Sequence, residues 1–474
     1  MCFAPASAMI DFGQKRVGQD QKQMMFSDKN VLVVGMGASG AAAAEFLAAQ
    51  GAHVTVNDAG DNDPLRMVQK RLQAKGIDTV IGRHPDDIFN QADLICLSPG
   101  VPHTLPSLTS ARESGVPVIG EIELAAQFIE EPIVAITGTN GKTTTTTLIG
   151  EMLAASGRRT FVGGNIGRPL IEYPASGESA DVVVVEVSSF QLDTIDTFHP
   201  KVSVLLNITP DHLDRYPDFD AYARSKGRIF ENQGPADTSI YLGNDDTVAR
   251  LLSGQRRQKL PFYRAGQAPP DFKQGAAVTD QAVLIRQNGR EYWIDLNDIR
   301  LVGDHQRENI TAACLATLAA GGTIAGIRRT LEDFDGLPHR MEPIDTVEEV
   351  LYINDSKGTN VNAVARALAS FETVILIMGG QDKEGDFSSL VPLVSQRVKH
   401  LILLGDAAPL IAKAMQGAVA IRQVEDMAQA VKLARDLAVS GDVVLLSPGC
   451  ASFDQYENYA ARGNDFRRQV EQLT

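Results

Sequence analysis

Disulfide chemistry is the first thing this sequence does without. Its 474 residues hold four cysteines, Cys2, Cys96, Cys314 and Cys450, at spacings that fit neither a paired framework nor a thiolate metal site. They read as reduced thiols of a cytosolic protein. No apolar run approaches the roughly eighteen residues of a membrane span. Met1 to Ile10 is mildly apolar, but no basic segment precedes it and Asp11 follows at once, so it makes a poor secretion signal. An excess of positive charge is missing too. The formal net charge of −15 argues against general affinity for nucleic-acid phosphates. Any bound nucleotide must then be held by local devices, such as backbone N–H cradles and cations. There is no short-period repeat of the solenoid kind.

What is present is ordinary globular material, 44% hydrophobic and 22% charged, in a chain long enough for two or three cores. Short β-branched runs alternate with helical patterns in three stretches, which predicts three α/β domains. Residues 1–26, polar from Gln14 to Gln23, are expected to be a loose arm, with Met24 or Met25 as a candidate start. The domains are expected at 27–122, 123–336 and 337–474. Val31–Val34, Leu94–Leu97, Ile133–Thr137, Val182–Val185, Val202–Leu206, Val374–Met378, Leu401–Leu404 and Val443–Leu446 read as strands buried on both faces. Such runs predict parallel sheets, the central one at least mostly parallel.

The most informative segment follows the strand at Ile133. Gly138-Thr139-Asn140-Gly141-Lys142-Thr143 turns a strand into a helix rich in threonine. Its N–H groups and the helix N-terminus suit phosphate oxygens, Lys142 can reach terminal phosphates, and the Thr143 hydroxyl can ligate Mg²⁺. The usual Walker pattern has a glycine five residues before Gly141, where this chain has Ile136. A bare strand-to-helix turn is the plain alternative, and Gly-Lys-Thr directly after a strand outweighs it.

In this motif the sequence resembles the Mur ligase family. Asn165-Ile166-Gly167, Glu186-Val187-Ser188-Ser189-Phe190-Gln191, Asp211-His212-Leu213-Asp214, Leu337-Pro338-His339-Arg340 and Asn354-Asp355-Ser356-Lys357 continue the resemblance in order, across all three stretches. Within the family the pattern is most similar to the D-glutamate-adding members. The resemblance implies a Rossmann-like first domain, a central ATPase-like domain and a Rossmann-like third. It also implies ATP-dependent joining of D-glutamate to UDP-N-acetylmuramoyl-L-alanine through an acyl phosphate.

Glu186 ends an apolar strand, where carboxylates commonly hold Mg²⁺. His212 alone reads as a surface or capping group. The resemblance makes both, with Thr143, ligands of two Mg²⁺ ions. Lys226 falls on the apolar stripe of Phe219, Tyr222, Ile229 and Phe230, where a charge is costly unless the chain snorkels out. Family members carry a lysine here as a CO₂-derived carbamate, and a desolvated amine has a motive to form one. By the same resemblance Lys142, Glu186, His212, Lys226 and Arg340 form the catalytic group. Gly138 to Thr144, Asn309, Arg340 and Asp355 hold ATP; three residues before Asn309, where members often carry asparagine, this chain has Gln306.

Gly35, Gly37 and Gly40, with Asp58 about twenty residues on, make a dinucleotide fingerprint that is weak alone. It leaves open an NAD(H)-binding oxidoreductase or sensor. The resemblance assigns it instead to UDP, with Gly37, Ser39, Asp58, Gly100, Asn165 and Ser188 holding the UDP-linked substrate. His339, Lys357, Thr359, Lys383, Ser452 and Tyr459 are carried over for D-glutamate, Tyr459 standing where a phenylalanine is common. Other members, or a folylpolyglutamate-type ligase, are the nearer rivals. The expected partners are these small molecules alone, with no nucleic acid and no membrane insertion, in a cytoplasmic monomer hinged near Glu123 and Leu337.

Overall fold

Each apolar run forms a strand, and the strands gather into three sheets. The computed structural model describes residues 25–473 except 214, 253–256, 280, 298, 300–302, 335 and 383–384. The expected arm therefore lies outside the described residues but for its last two, Met25 and Phe26. Phe26 is fully buried and stacks on Phe128 at 6.1 Å, so it belongs to the core.

The first sheet is wholly parallel. Its strands are β1 (Asn30–Val34), β2 (His53–Asp58), β3 (Asp78–Ile81), β4 (Leu94–Leu97) and β5 (Val118–Gly120), in the order β3-β2-β1-β4-β5. The order reverses between β1 and β4, which opens a crevice beyond their carboxyl ends. Alanine-rich α1 (Ala38–Ala49) starts there. It packs closely because a Cβ on Gly40 would sit 1.9 Å from the Gly35 carbonyl oxygen.

Around Glu123, where a hinge is expected, the chain is tied down. Helix α2 (Glu121–Ala126) buries two carboxylates. Glu123 accepts the backbone N–H groups of Asp196, Thr197 and Phe198, each at 2.9 Å. Glu121 accepts from Ile171 N–H at 2.7 Å, and burial pushes its carboxyl up to about 7. Phe26, Phe46, Ile122, Ile133, Leu170 and Ile171 share one apolar cluster, so the first two sheets are packed through a common core.

The central sheet comprises β6 (Ile133–Thr137), β7 (Thr160–Gly164), β8 (Val182–Glu186), β9 (Val202–Leu205), β10 (Thr238–Leu242), β11 (Gln258–Tyr263), β12 (Gly275–Val278), β13 (Ala282–Gln287) and β14 (Arg290–Asp295). Their order is β14-β13-β12-β11-β10-β9-β6-β8-β7. Strand β6 lies between β8 and β9, parallel to both, so whatever follows β6 sits between the ends of those two. Helices α3 (Lys142–Ala155), α4 (Phe219–Gly227) and α5 (Asp304–Ala319) cover it.

The third sheet holds β15 (Glu342–Val347), β16 (Val350–Asn354), β17 (Val374–Gly379), β18 (Val398–Leu404), β19 (Ala420–Gln423) and β20 (Val443–Leu446), in the order β15-β16-β20-β17-β18-β19. Helices α6 (Val361–Ala369) and α7 (Tyr459–Glu471) pack beside it.

The central sheet is mostly parallel, as expected, and the third departs from the parallel expectation at one edge. Strands β12, β13 and β14 pair antiparallel at the edge of the central sheet, and β15 pairs antiparallel with β16. The β13–β14 and β15–β16 hairpins close through two-residue turns. Asn288 and Gly289 both take positive φ (54° and 72°), the two-residue hairpin geometry, and Glu348 and Glu349 do the same (51° and 63°). Asn-Gly announces a hairpin, whereas Glu-Glu carries no such signal. Among the described residues no helix is long and apolar enough to cross a membrane, and Cys96, Cys314 and Cys450 are buried and form no disulfide.

Candidate active site

The loop after β6 is built on two glycines at positive φ, Gly138 (153°) and Gly141 (88°). Gly141 has a steric reason as well: a Cβ there would lie 2.2 Å from Asn309 Oδ1. Asn140 is held from both sides by Asn207 beyond β9. Its N–H donates to Asn207 Oδ1 at 3.0 Å, and Asn207 Nδ2 donates to its carbonyl at 2.9 Å. The Thr139 hydroxyl donates to the Thr209 carbonyl (3.1 Å) and accepts from Thr209 N–H (3.0 Å). The loop is thus braced by its neighbours beyond β9.

Two lysine amines converge on one oxygen of this loop. Lys142 Nζ donates to the Gly138 carbonyl at 2.9 Å and to that of Thr139 at 3.0 Å. Lys226 Nζ also donates to the Gly138 carbonyl, at 2.9 Å. Lys226 does not snorkel: it is 2% exposed, its amine 4.7 Å from the centre of the Tyr222 ring. Burial first, and the Lys142 charge second, hold its pKa well below the usual lysine range. Burial lowers Lys142 too, with Glu186 and Asp211 opposing.

Glu186 ends β8 beside this pair. Its Oε1 accepts from Asn165 Nδ2 at 3.0 Å, while Oε2 is buried without a hydrogen-bond partner. A buried orphan carboxylate oxygen next to a phosphate cradle fits a divalent cation. The Thr143 hydroxyl opens α3 nearby and accepts from Arg340 Nη2 at 2.7 Å. His212 takes a positive φ of 55° and sets its ring 4.9 Å from that of Phe190. Among the described residues no three His, Cys, Asp or Glu side chains group as a metal cage.

Between the central and third sheets lies a partly enclosed pocket. Asn140, Gly141, Thr144, Asn309, Arg340, Asp355 and Lys357 line it. Gln306 lines it as well and accepts from Asn309 Nδ2 at 3.1 Å, so the pair acts as one polar unit. Burial lifts the Asp355 carboxyl to about 7 against the Ser447 hydroxyl and the Arg340 charge. Burial and Arg340 lower Lys357 to about 8. His305 and Arg366 also line this cavity, and sequence reasoning misses both. His305 precedes Asn309 by one helical turn, a periodicity that could have found it. Burial pushes its imidazole down to about 4.

The third sheet gathers its own group. Lys357 Nζ donates to the Tyr459 hydroxyl at 3.0 Å, and the Tyr459 ring lies 6.1 Å from that of His339. His339 sits at a φ of 64°, and its carbonyl accepts from Lys357 N–H at 3.0 Å. Thr359 follows in the same loop, and Ser452 is buried after β20. Lys383 lies outside the described residues. Arg462, also missed, is the buried clamp of these loops: it donates to the carbonyls of Ser356, Cys450 and Ala451 and to the Ser356 hydroxyl.

The crevice of the first sheet is an open cleft lined by Gly35, Gly37, Ser39, Asp58, Gly100 and Asn165 among others. Asp58 organises the glycine loop by accepting from Met36 N–H and Gly60 N–H, both at 2.8 Å. Ser188 stands apart. Its hydroxyl and N–H close a capping box with Gln191, and Gln191 is the one that lines the cleft. His84 lines it too and was not legible in the sequence. Asn165 joins this cleft to Glu186 and so to the phosphate loop.

Comparison with known proteins agrees with this layout. Models of the MurD-like N-terminal domain of Mur ligases, the Mur ligase middle domain and the Mur ligase glutamate ligase domain match residues 29–120, 136–317 and 339–450. A UDP-N-acetylmuramoylalanine–D-glutamate ligase of Desulfosudis oleivorans is 48% identical over 454 residues, covering 95% of this chain and 98% of its own. One from Desulfatibacillum aliphaticivorans is 46% identical, over 95% and 100%. The pseudomurein peptide ligase type C of Methanothermus fervidus shares the fold, at a TM-score of 0.60 and 20% identity over 94% of this chain and 100% of its own. So does the MurF ligase of Thermotoga maritima, at 0.59 and 15% over 95% and 97%.

Proposed function

We propose how individual residues work in this chain, which belongs to the Mur ligase family and is an ATP-dependent ligase joining D-glutamate to UDP-N-acetylmuramoyl-L-alanine in peptidoglycan synthesis. The observation that carries the reading is the junction at Asn165, which lines the substrate cleft while its amide donates to Glu186 at 3.0 Å beside the phosphate loop. The acyl end of a substrate anchored by its UDP in the first cleft can therefore reach the terminal phosphate of ATP.

In this scheme the backbone N–H groups from Gly138 to Thr144 cradle the ATP phosphates, with Lys142 and Arg340 balancing the charge of the transferring group. Asn309 holds the adenine and Asp355 the ribose. Thr143, Glu186, His212 and Lys226 as a carbamate would hold two Mg²⁺ ions, which would supply charge neutralisation for the transferring phosphoryl group. The buried, depressed Lys226 amine supports that modification, since a neutral amine attacks CO₂ and the product is an anion. The L-alanine carboxylate takes the phosphoryl group, and the D-glutamate amine attacks the acyl phosphate through a tetrahedral intermediate, releasing phosphate. His339, Lys357, Thr359, Lys383, Ser452 and Tyr459 orient D-glutamate. Gly37, Ser39, Asp58 and Gly100 hold the UDP end, with Gln191 taking the place given to Ser188. The enzyme works as a cytoplasmic monomer, where its UDP-linked substrate is made.

The test is phosphate release from ATP with UDP-N-acetylmuramoyl-L-alanine and, in turn, D-glutamate, L-glutamate, L-alanine and meso-diaminopimelate. Release with D-glutamate alone is expected; release with another amino acid overturns the third-domain assignments. For the carbamate, Lys226→Ala should be inactive and regain activity with short carboxylates, while an inactive variant that no carboxylate restores counts against it.

A further inference from the structure

The third domain touches the loop that carries His212 through two asparagine side chains. Asn360 and Asn362 stand at the start of α6, one at its N-cap and one in its first turn. Asn360 Nδ2 donates to Asp211 Oδ2 at 3.1 Å, and Asn362 Nδ2 donates to the Pro210 carbonyl at 3.1 Å. Pro210 and Asp211 immediately precede His212. Asn360 works at both ends: its Oδ1 accepts from Ala363 N–H at 2.8 Å and caps α6, while its amide reaches across to Asp211. One planar side chain thus fixes the start of α6 against the loop that carries His212.

We infer that Asn360 and Asp211 are positioning residues, a latch by which docking of the amino-acid domain sets the loop bearing His212. The inference rests on the ligase reading above. Its physical content is geometric. Residues 357 to 359, assigned to D-glutamate, lead directly into Asn360, so a shift of that loop is transmitted to Asp211 through a single amide. His212 is coupled to Asp211 directly: its N–H donates to Asp211 Oδ1 at 3.0 Å, and its Nε2 lies 3.8 Å from Asp211 Oδ2. Correct seating of the amino acid and correct placement of the imidazole then become one event, which keeps ATP from being spent when the third domain is not in place.

A polarity swap tests this. Asn360→Asp keeps the helix cap, because aspartate caps as well as asparagine, but sets a carboxylate against Asp211. Asp211→Asn in the same chain restores one donor and one acceptor. Wild-type enzyme must first release phosphate in response to D-glutamate; if it does not, the ligase reading fails and not this one. With that response established, Asn360→Asp should lower kcat and raise the KM for D-glutamate, each roughly tenfold. The double variant should be several-fold more active than Asn360→Asp alone. A single variant within twofold of wild type, or a double variant no better than the single, overturns the latch. Rescue by the reversed pair is the result that a merely structural asparagine does not give.

Discussion

Arg340 donates from Nη2 to the Thr143 hydroxyl at 2.7 Å, joining the first residues of the third domain to the opening turn of the phosphate-loop helix. The guanidinium is buried, which lowers its pKa, and the Glu186 and Asp355 charges offset that cost. One side chain therefore couples the position of the third domain to the loop proposed to hold the ATP phosphates. Replacing it by alanine removes both the tether and the charge. We expect Arg340→Ala to lower kcat/KM for ATP about 100-fold, with Arg340→Lys retaining part of the loss as charge without the forked geometry. Steady-state phosphate release checks both.

The lysine that faces Tyr459 should make amino-acid binding sensitive to pH. Burial holds Lys357 at about 8, so it is charged below that value and neutral above it. If its charge grips a carboxylate of D-glutamate, the KM for D-glutamate stays flat up to about pH 8 and climbs beyond it. Lys357→Arg, which stays charged, should remove the climb while leaving the titration of the attacking amine in kcat. A KM that rises equally in both proteins detaches Lys357 from the amino acid.

Asp355 predicts a trade between stability and nucleotide affinity. Its folded-state pKa is raised from 3.8 to about 7. The unfolded chain therefore ionises first as pH rises, and stability present below pH 4 is lost progressively up to about pH 7. Asp355→Asn abolishes that loss. It should stabilise the nucleotide-free protein at pH 8 by on the order of 2–4 kcal/mol, with little gain at pH 4. The same variant should bind ATP more weakly. Thermal unfolding at the two pH values, with and without ATP, separates the effects.

Two glycines of one motif should behave oppositely. A Cβ on Gly37 meets nothing within 4 Å, whereas one on Gly40 would lie 1.9 Å from the Gly35 carbonyl oxygen. Gly37→Ala should fold normally and weaken the UDP-linked substrate by intruding on the approach to its diphosphate. Gly40→Ala should destabilise the first domain by about 1–3 kcal/mol, since α1 must move away from β1. Chemical unfolding and substrate titration distinguish the pair.

Much of this protein is decided by local chemistry and is legible along the chain. Val31–Val34, Ile133–Thr137, Val182–Val185 and Val374–Met378 are strands because continuous β-branched runs suit sheets buried on both faces. Gly138 to Thr143 forms a tight turn because glycines at positive φ lead a strand directly into a helix. The edge hairpins are half legible: Asn288-Gly289 announces its turn, while Glu348-Glu349 is forced into one by the pairing of the strands around it.

Other features have no local signature. The stripe that carries Lys226 reads equally as a snorkelling lysine, and only the packing of α4 against the phosphate loop buries the amine on the Gly138 carbonyl. Ser188 sits in a matching motif, yet its hydroxyl is taken by a local capping box, leaving the cleft to Gln191. Arg462 and Asp211 act on residues more than a hundred positions away. Spacing along a chain encodes what a backbone does to itself. Which distant polar group satisfies a buried donor is settled only when three sheets come together, because desolvation, unlike propensity, belongs to the assembled fold.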